Sequence, residues 1–405
     1  MGKIVRVLLA ALLSAFATGA LLRLYAPVRG AERQLHHLRA ELDAGAGQDA
    51  QRLFPEGYFF LHALYGLAWV DVGRRAHDKA EAVREIRWAL ERLDSPDGTA
   101  PFRAGLAPRY GIFYAGWTNW LRGGLLSLRR DPDQVRRFES GSREIARAFD
   151  ASATPFLPAY PGQSWPVDST VAIASLGLSP DHAGTVRAWV DRARQRLDPA
   201  TGLLPHVSDP ATGEPRQGAR GSSQSVILRF LADVDPRFAR EQYLRFRELF
   251  VDSPLHLGPA VREYPKGTHG AGDVDSGPLP LGISFSATVV AIGAARVNGD
   301  GALADAMAAY GEVAGVPITT WHTKRYALGL LPIGDAFLVW ANTAPARATG
   351  IPGGAGPLWK VPLTALLLLL AAAPWAPRRR ERRRQRAGRP DDGPVVEPVV
   401  PEHSA

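Results

Sequence analysis

Through the middle of the chain, stretches that are apolar on every side alternate with charged stretches that carry one apolar stripe. The alternation recurs about every 55 residues, the spacing of a helical hairpin with its loops. The apolar segments begin near Gly57, Ile112, Pro166, Arg220 and Leu279. The charged helices that follow are predicted over residues 79–93, 132–149, 182–197, 236–251 and 301–313. A helix that is apolar all round is buried, whereas one with a single apolar stripe covers a core. The pattern therefore predicts an all-α fold, an (α/α)5–6 toroid with apolar helices inside and amphipathic helices outside. Residues 326–341 supply half of a sixth pair, to be closed by a helix from the N-terminal region.

Local chemistry agrees with the periodicity. Asp131-Pro132 and Ser179-Pro180 are helix starts, with an oxygen-bearing cap before a first-turn proline. Residues 198–218 hold two Asp-Pro-Ala-Thr-Gly turns, predicted to flank a short extended segment or β-hairpin around residues 203–207. Residues 252–278 form the longest loop, and loops of that length in a compact domain are usually functional.

Two segments outside the ring are membrane-directed. Residues 4–22 are apolar apart from Arg6 and read as a signal anchor or a cleaved signal peptide, with Ala15-Phe16-Ala17 as a small-x-small site. Residues 358–375 are just long enough to cross a bilayer. The predicted organisation is an anchor (1–23), a linker or capping helix (24–53), the toroid (54–343), a linker (344–357), a second transmembrane helix (358–376) and a basic, then disordered, cytoplasmic tail (377–405).

Charge changes this picture little. The net charge is +8, but eight arginines lie between residues 378 and 389 with Glu381 alone opposing them, so the rest of the chain is near neutral. The basic balance thus gives no reason to expect nucleic-acid binding by the folded domain. Positive flanks stay in the cytoplasm, which puts both termini inside and the main domain outside, at the cell membrane. The chain has no cysteine, which excludes disulfides, thiolate metal sites and cysteine nucleophiles. Nucleotide-binding glycine loops, HExxH and GxSxG are absent, and the ten histidines show no metal-ligand spacing. No metal or cofactor is expected.

The chemistry-bearing residues gather where outer helices lead into inner ones. Residues 272–278, Gly-Asp-Val-Asp-Ser-Gly-Pro, put Asp273 and Asp275 at the mouth of the fifth apolar segment. Carboxylates there serve as general acid, general base or nucleophile, or else cap the helix. Asp168, beside Trp165, opens the third segment and is expected on the same face as Asp275. Asp275 and Asp168 are the expected acid/base pair, with Asp273 or Glu263 as stand-in. Tyr114, Trp117 and Trp165 are candidates to stack on a sugar ring, unless they are core. Asn119 is an amide on an apolar helix and needs partners. Arg220, His206, Tyr264 and His269 are candidates to orient polar groups, and Glu56 reads as a cap before the first segment.

With Trp165-Pro166-Val167-Asp168 and the Asp273/Asp275 motif at inner-helix starts, the paired-helix pattern resembles the six-hairpin (α/α) toroid superfamily. That group includes glycoside hydrolases, polysaccharide lyases and uronyl epimerases. The resemblance implies a membrane-anchored carbohydrate-active enzyme, most simply a hydrolase, acting on a carbohydrate or other small molecule. Two alternatives stay open. One is a non-catalytic toroid that binds a glycan or an envelope partner. The other is a lyase or isomerase, including the linalool dehydratase/isomerase-like branch, whose site is associated with cysteines that this chain lacks.

Overall fold

The computed structural model describes residues 3–348, 351, 356 and 358–376. The tail at 377–405 and most of the 349–357 stretch lie outside the described residues. The chain is mostly helical. Before the alternation come α1 (Lys3–Tyr25), α2 (Ala31–Asp43) and α3 (Ala46–Leu53). The apolar helices are α4 (Gly57–Arg75), α7 (Gly111–Leu128), α9 (Pro166–Leu176), α11 (Gly221–Val234), α13 (Phe285–Val297) and α15 (Pro332–Thr343). Their followers are α5 (Ala80–Leu93), α8 (Pro132–Ala151), α10 (Ala183–Arg194), α12 (Pro236–Phe250) and α14 (Gly301–Ala314). A single turn, α6 (Pro96–Thr99), interrupts the loop before α7, and α16 (Lys360–Ala372) comes last.

Several helices start on the chemistry read from the sequence. Asp131 accepts from the Asp133 and Gln134 amides, Asp235 from that of Phe238, and Asp300 from that of Leu303. Each satisfies donors that a helix start leaves orphaned. Proline occupies the first turn of α8, α9, α12 and α15, where no amide hydrogen is needed.

The chain divides into two compact units, one of Ala20–Thr364 and one of the terminal segments up to Gly19 and from Ala365. Within the large unit, α4 packs on α7, α7 on α9, α9 on α11, α11 on α13, α13 on α15, and α15 back on α4. The six apolar helices therefore make a closed cycle of neighbours. Outside it, α5, α8, α10, α12 and α14 each pack on the helix they follow, and α2 packs on α15. Connections out of the cycle are short (residues 76–79, 129–131, 177–182, 235 and 298–300), so each pair is antiparallel. The longer connections back in then emerge at the other end, beside the inner N-termini. Contacts at the C-terminal end fit this: Arg74 Nε donates to Ser127 Oγ (3.3 Å) and Arg75 to the Thr343 carbonyl (2.8 Å).

The axis of the cycle is filled. The Trp117 ring lies 5.6 Å from Phe60, 5.2 Å from Phe230 and 5.8 Å from Trp340, joining α4, α7, α11 and α15 in one aromatic cluster. Such tilted and edge-on pairs add to their burial energy. One glycine sets a close approach at the other layer. A methyl on Gly221 would lie 2.0 Å from the Arg262 carbonyl oxygen, and the Gly221 amide donates to the Glu263 carbonyl (2.8 Å). Gly221→Ala is expected to cost about 1–3 kcal/mol through this backbone clash. A lowered denaturation midpoint with an unchanged slope would register it.

Two readings of the sequence need correction. The fifth apolar helix begins at Phe285 rather than near Leu279, because Pro280–Gly282 is a 3-10 turn with Leu281 at φ 55°. The hairpin lies later than residues 203–207. Strand β1 (Val207–Ser208) pairs antiparallel with β2 (Pro215–Gln217) around the second Asp-Pro turn, while the first turn closes on itself through the Gly202 amide and Asp198 carbonyl (2.7 Å). Two further strand pairs carry no alternating signal: β3 (Val251–Asp252) with β4 (Ala260–Val261), and β5 (Ile318–Thr319) with β6 (Lys324–Arg325). The two membrane-directed segments differ in helix length. Among the described residues, one helix is long and apolar enough to cross a membrane, residues 4–25 of α1. The second segment forms the shorter apolar helix, 13 residues of α16 continued by a 3-10 turn to Trp375. Pro374 lies in that turn, where α geometry gives way to 3-10 after Ala372. Within the small unit, Ser14 Oγ donates to the Ala371 carbonyl (2.7 Å) and the Trp375 indole donates to Ser14 Oγ (2.8 Å).

Candidate functional site

The inner-helix N-termini bring three carboxyl groups within electrostatic reach of one another: Glu56 ahead of α4, Asp168 in the first turn of α9, and Asp275 in the loop ahead of α13. Asp168 is buried, at 5% exposure, and its side chain makes no hydrogen bond among the described residues. Burial pushes its carboxyl well above the ordinary range, and the negative charges of Glu56 and Asp275 push the same way. Asp275 is pushed up to about 6, first by desolvation, then by Asp273 and Glu56, against the opposing pull of Arg220. Its residue surface is still exposed, so the protein crowds this carboxyl without sealing it.

Glu56 precedes α4 but donates no cap: no amide of the first turn bonds its side chain. Its carboxylate instead accepts the Tyr160 hydroxyl. The Tyr160 ring meets Trp165 edge-on at 6.0 Å and stacks on Phe102 at 5.9 Å. The residues brought together here are thus Asp168, Asp275, Trp165, Glu56 and Tyr160. Sequence reasoning left Glu56 as a cap and passed over Tyr160. The available signal was position alone, since both lie in connections entering inner helices.

Asp273 and Glu263 take a different part. One Asp273 oxygen accepts the Asp275 and Ser276 amides (3.1 and 3.0 Å), and the other accepts Arg220 (2.6 Å). Partial burial raises this carboxyl, but the Ser276 amide and the Arg220 charge outweigh it and hold Asp273 below its ordinary value. Glu263 is fully buried and accepts Arg220 Nε (2.8 Å), the Ser222 hydroxyl (2.7 Å) and the Ser222 amide (3.1 Å). Arg220 therefore clamps the Asp273–Asp275 turn to the start of α11, with Tyr264 beneath its guanidinium at 5.2 Å. The Tyr264 hydroxyl donates to the Ala271 carbonyl (2.8 Å), and His269 stands exposed on the same loop.

His206 is buried, with Nδ1 hydrogen-bonded to Ser223 Oγ. Burial lowers it to about 4, and the Arg220 charge adds to that while Asp273 opposes it. It is therefore neutral at physiological pH. Between pH 6.5 and about 4 the unfolded chain holds a proton that folded His206 refuses, so its contribution to stability is lost as pH falls through that window. Asp168 and Asp275, raised when folded, favour the folded state in acid and oppose this trend. The expected result is thus a difference: the acid-induced fall in unfolding temperature is smaller in His206→Gln than in the parent chain. Equal falls would remove His206 from this account.

The aromatic candidates on α7 divide. Trp117 lies in the central cluster. Asn119 donates to Ser142 Oγ (3.0 Å) and Ser175 Oγ (3.1 Å), a buried tie between α7, α8 and α9. The Tyr114 hydroxyl reaches the Leu93 carbonyl (3.2 Å) and Asp94 (3.3 Å) at the end of α5. A cleft of about 510 Å3 opens between α2, α3, α4 and α5, lined by Tyr58, His62, Trp88 and Arg92 among others, and none of the predicted carboxylates borders it. No group of three or more histidine, aspartate or glutamate side chains among the described residues is arranged to hold a metal.

Three carboxyl groups thus lie near one another at the inner-helix N-termini. Asp168 holds a proton to higher pH than an ordinary carboxyl, Asp275 titrates near neutrality, and Glu56 lies close to both. Environments that push neighbouring carboxyls to different proton affinities are how one site supplies both an acid and a base. No known protein-family model matches the sequence.

Proposed function

We propose that the chain is a membrane-anchored (α/α)6 toroid that works outside the cytoplasm as a carbohydrate-active hydrolase. The observation that carries this reading is the carboxyl group of Asp168, buried and proton-retaining, within electrostatic reach of Asp275 at the mouth of the helix cycle. In the hydrolytic step Asp168 gives its proton to the glycosidic oxygen as the bond to the anomeric carbon breaks. Asp275 takes a proton from water as the water oxygen bonds to that carbon. Glu56, held by Tyr160, places a further negative charge beside the oxocarbenium-like centre. Trp165 and Tyr160 offer the flat apolar faces that sugar C–H surfaces stack on. The spacing of the two carboxyls sets inversion or retention, which proton NMR of the first-formed anomer reads.

The closed cycle of six apolar helices with six outer neighbours supports the toroid, and α1 supports the anchor. The arginine run after Trp375 supports a second crossing by residues 358–376 that returns the C-terminus to the cytoplasm.

The test incubates the full-length protein in detergent with a panel of envelope and plant glycans and reads products by mass spectrometry. Fragments carrying one added water are expected, lost in Asp275→Asn. Unsaturated fragments would make the enzyme a lyase. No product from any glycan would overturn the hydrolase in favour of a binding toroid or a substrate that is not a sugar.

A further inference from the structure

The large unit wears its apolar side chains on one end. Between residues 31 and 343, every large apolar side chain with more than half its surface exposed lies in a connection leading into an inner helix, on the first residue of one, or, for Leu53, on the last residue of α3 just ahead of α4. The short connections at the other end carry Leu178 alone, at 40%.

Three of these side chains share a construction. Leu255, Leu281 and Leu328 each sit in a 3-10 turn with φ between 53° and 61°, the left-handed region that leucine avoids. Each is followed within three residues by a glycine that also has positive φ. Their exposures are 72%, 63% and 60%. Non-glycine residues held in this region mark places where the surroundings impose a geometry, often for function. Here the imposed geometry presents an apolar side chain to solvent three times over. Leu330 and Leu331, just before α15, are exposed as well, and Trp321 stands 92% exposed at the tip of the β5–β6 hairpin.

That hairpin is tied to the point where the chain leaves α1. Lys324 Nζ, on β6, donates to the Arg29 carbonyl (2.9 Å), and Arg33 reaches the Thr320 carbonyl beside Trp321 (3.4 Å). Tyr25, the last residue of α1, bonds Thr364 Oγ1 (2.9 Å) and lies 4.7 Å below Lys360. Tyrosine, tryptophan and basic residues at the end of an apolar span are the composition of a membrane–water boundary. Within the large unit, residues 25–33 therefore join this boundary composition to the hairpin that carries Trp321.

We propose that the end of the domain bearing Asp168 and Asp275 is seated on the lipid bilayer that α1 crosses, with Leu255, Leu281, Leu328 and Trp321 inserted at its surface. The substrate is then amphiphilic, a saccharide carried on a lipid, and its polar head meets the carboxyls while its chain stays in the membrane. The docking rests on the anchored reading given above for α1, and the saccharide on the carbohydrate reading of the carboxyls; neither requires that the bond be broken by hydrolysis. Adsorption of this kind gains from buried apolar area and from attraction of basic residues to anionic headgroups.

The absence of cysteine makes the test direct. Single variants Leu255→Cys, Leu281→Cys, Leu328→Cys and Trp321→Cys of the full-length chain are labelled with an environment-sensitive fluorophore. Asp181→Cys, in the short connection between α9 and α10, is the control from the opposite end. Each is reconstituted in vesicles of phosphatidylcholine and phosphatidylglycerol containing nitroxide-bearing lipids. Several-fold stronger quenching and a blue shift are expected at the four positions relative to 181. Labels quenched no more than at 181, in protein that stays with the vesicles through an alkaline wash, would overturn the docking and leave the anchor intact. Protein released by the wash would overturn the anchor, and the docking with it. Shielding that persists in detergent and grows with protein concentration would assign the face to a second copy of the chain instead.

Discussion

Asp275→Asn is expected to lower turnover by about 10^2–10^4-fold, the usual contribution of a positioned acid or base, while leaving the fold intact. The side chain is exposed, and no hydrogen bond among the described residues depends on its carboxylate, so the amide fits the same space. The turn that carries it is held by Asp273 and Arg220 instead. The pH profile gives an independent check with a defined sign. A base must be ionised, and Asp275 loses its proton near pH 6, so kcat/KM should rise as pH increases through about 6. The falling limb belongs to Asp168, which must keep its proton and whose carboxyl burial holds well above the ordinary range. In Asp275→Asn the limb near pH 6 disappears from whatever activity remains. A variant with full activity, or with that limb unmoved, removes Asp275 from the chemistry. Tyr160→Phe should act more weakly, because it frees the Glu56 carboxylate without deleting it.

The largest effect on stability is expected at the opposite end of the cycle. Arg229 of α11 donates to Asp71 of α4 (2.8 Å), with both side chains 7% exposed, and its guanidinium lies 4.3 Å from the Trp340 ring. Desolvation pushes each partner toward its neutral form, Asp71 upward and Arg229 downward, and their mutual attraction opposes both shifts. Removing one partner leaves an uncompensated charge among apolar helices. Asp71→Ala is therefore expected to destabilise by about 3–5 kcal/mol, lowering the unfolding temperature by on the order of 10 °C for a domain of this size. The double variant Asp71→Leu/Arg229→Met should recover most of that loss, since a well-packed apolar pair replaces a buried ion pair at little cost. Losses that simply add in the double variant would mean the two residues are not coupled.

The alternation of apolar and striped segments was legible because it rests on local physics. Periodicity tells a buried helix from a covering one, and Asp131, Asp235 and the first-turn prolines mark where helices start. Leu281 shows the limit. Its backbone is forced left-handed, so the apolar run around it is not helix, and the breakers Pro280 and Gly282 on either side are the signal that the hydrophobic run outweighed. The β5–β6 and β3–β4 pairs are two residues long and too short to alternate. In the site, the sequence put Asp168 and Asp275 at inner-helix starts; Asp168 lies in the first turn of α9, whereas Asp275 lies in the loop well ahead of α13.

What the sequence by itself determined is the helical content, the order of buried and covering helices, the apolar α1 and the location of the polar motifs in the loops leading inward. These follow from residue type and spacing along the chain. The tertiary structure decided which carboxyls are neighbours and what each is doing. Glu56 and Tyr160 are 104 residues apart and meet only because α4 and the loop before α9 enter the cycle at the same end. Asp273 and Asp275 are two residues apart, yet one carboxylate holds Arg220 and the turn while the other has no hydrogen-bond partner among the described residues. Proton affinity depends on burial and on charges brought close through space, and neither is a property of the order of residues.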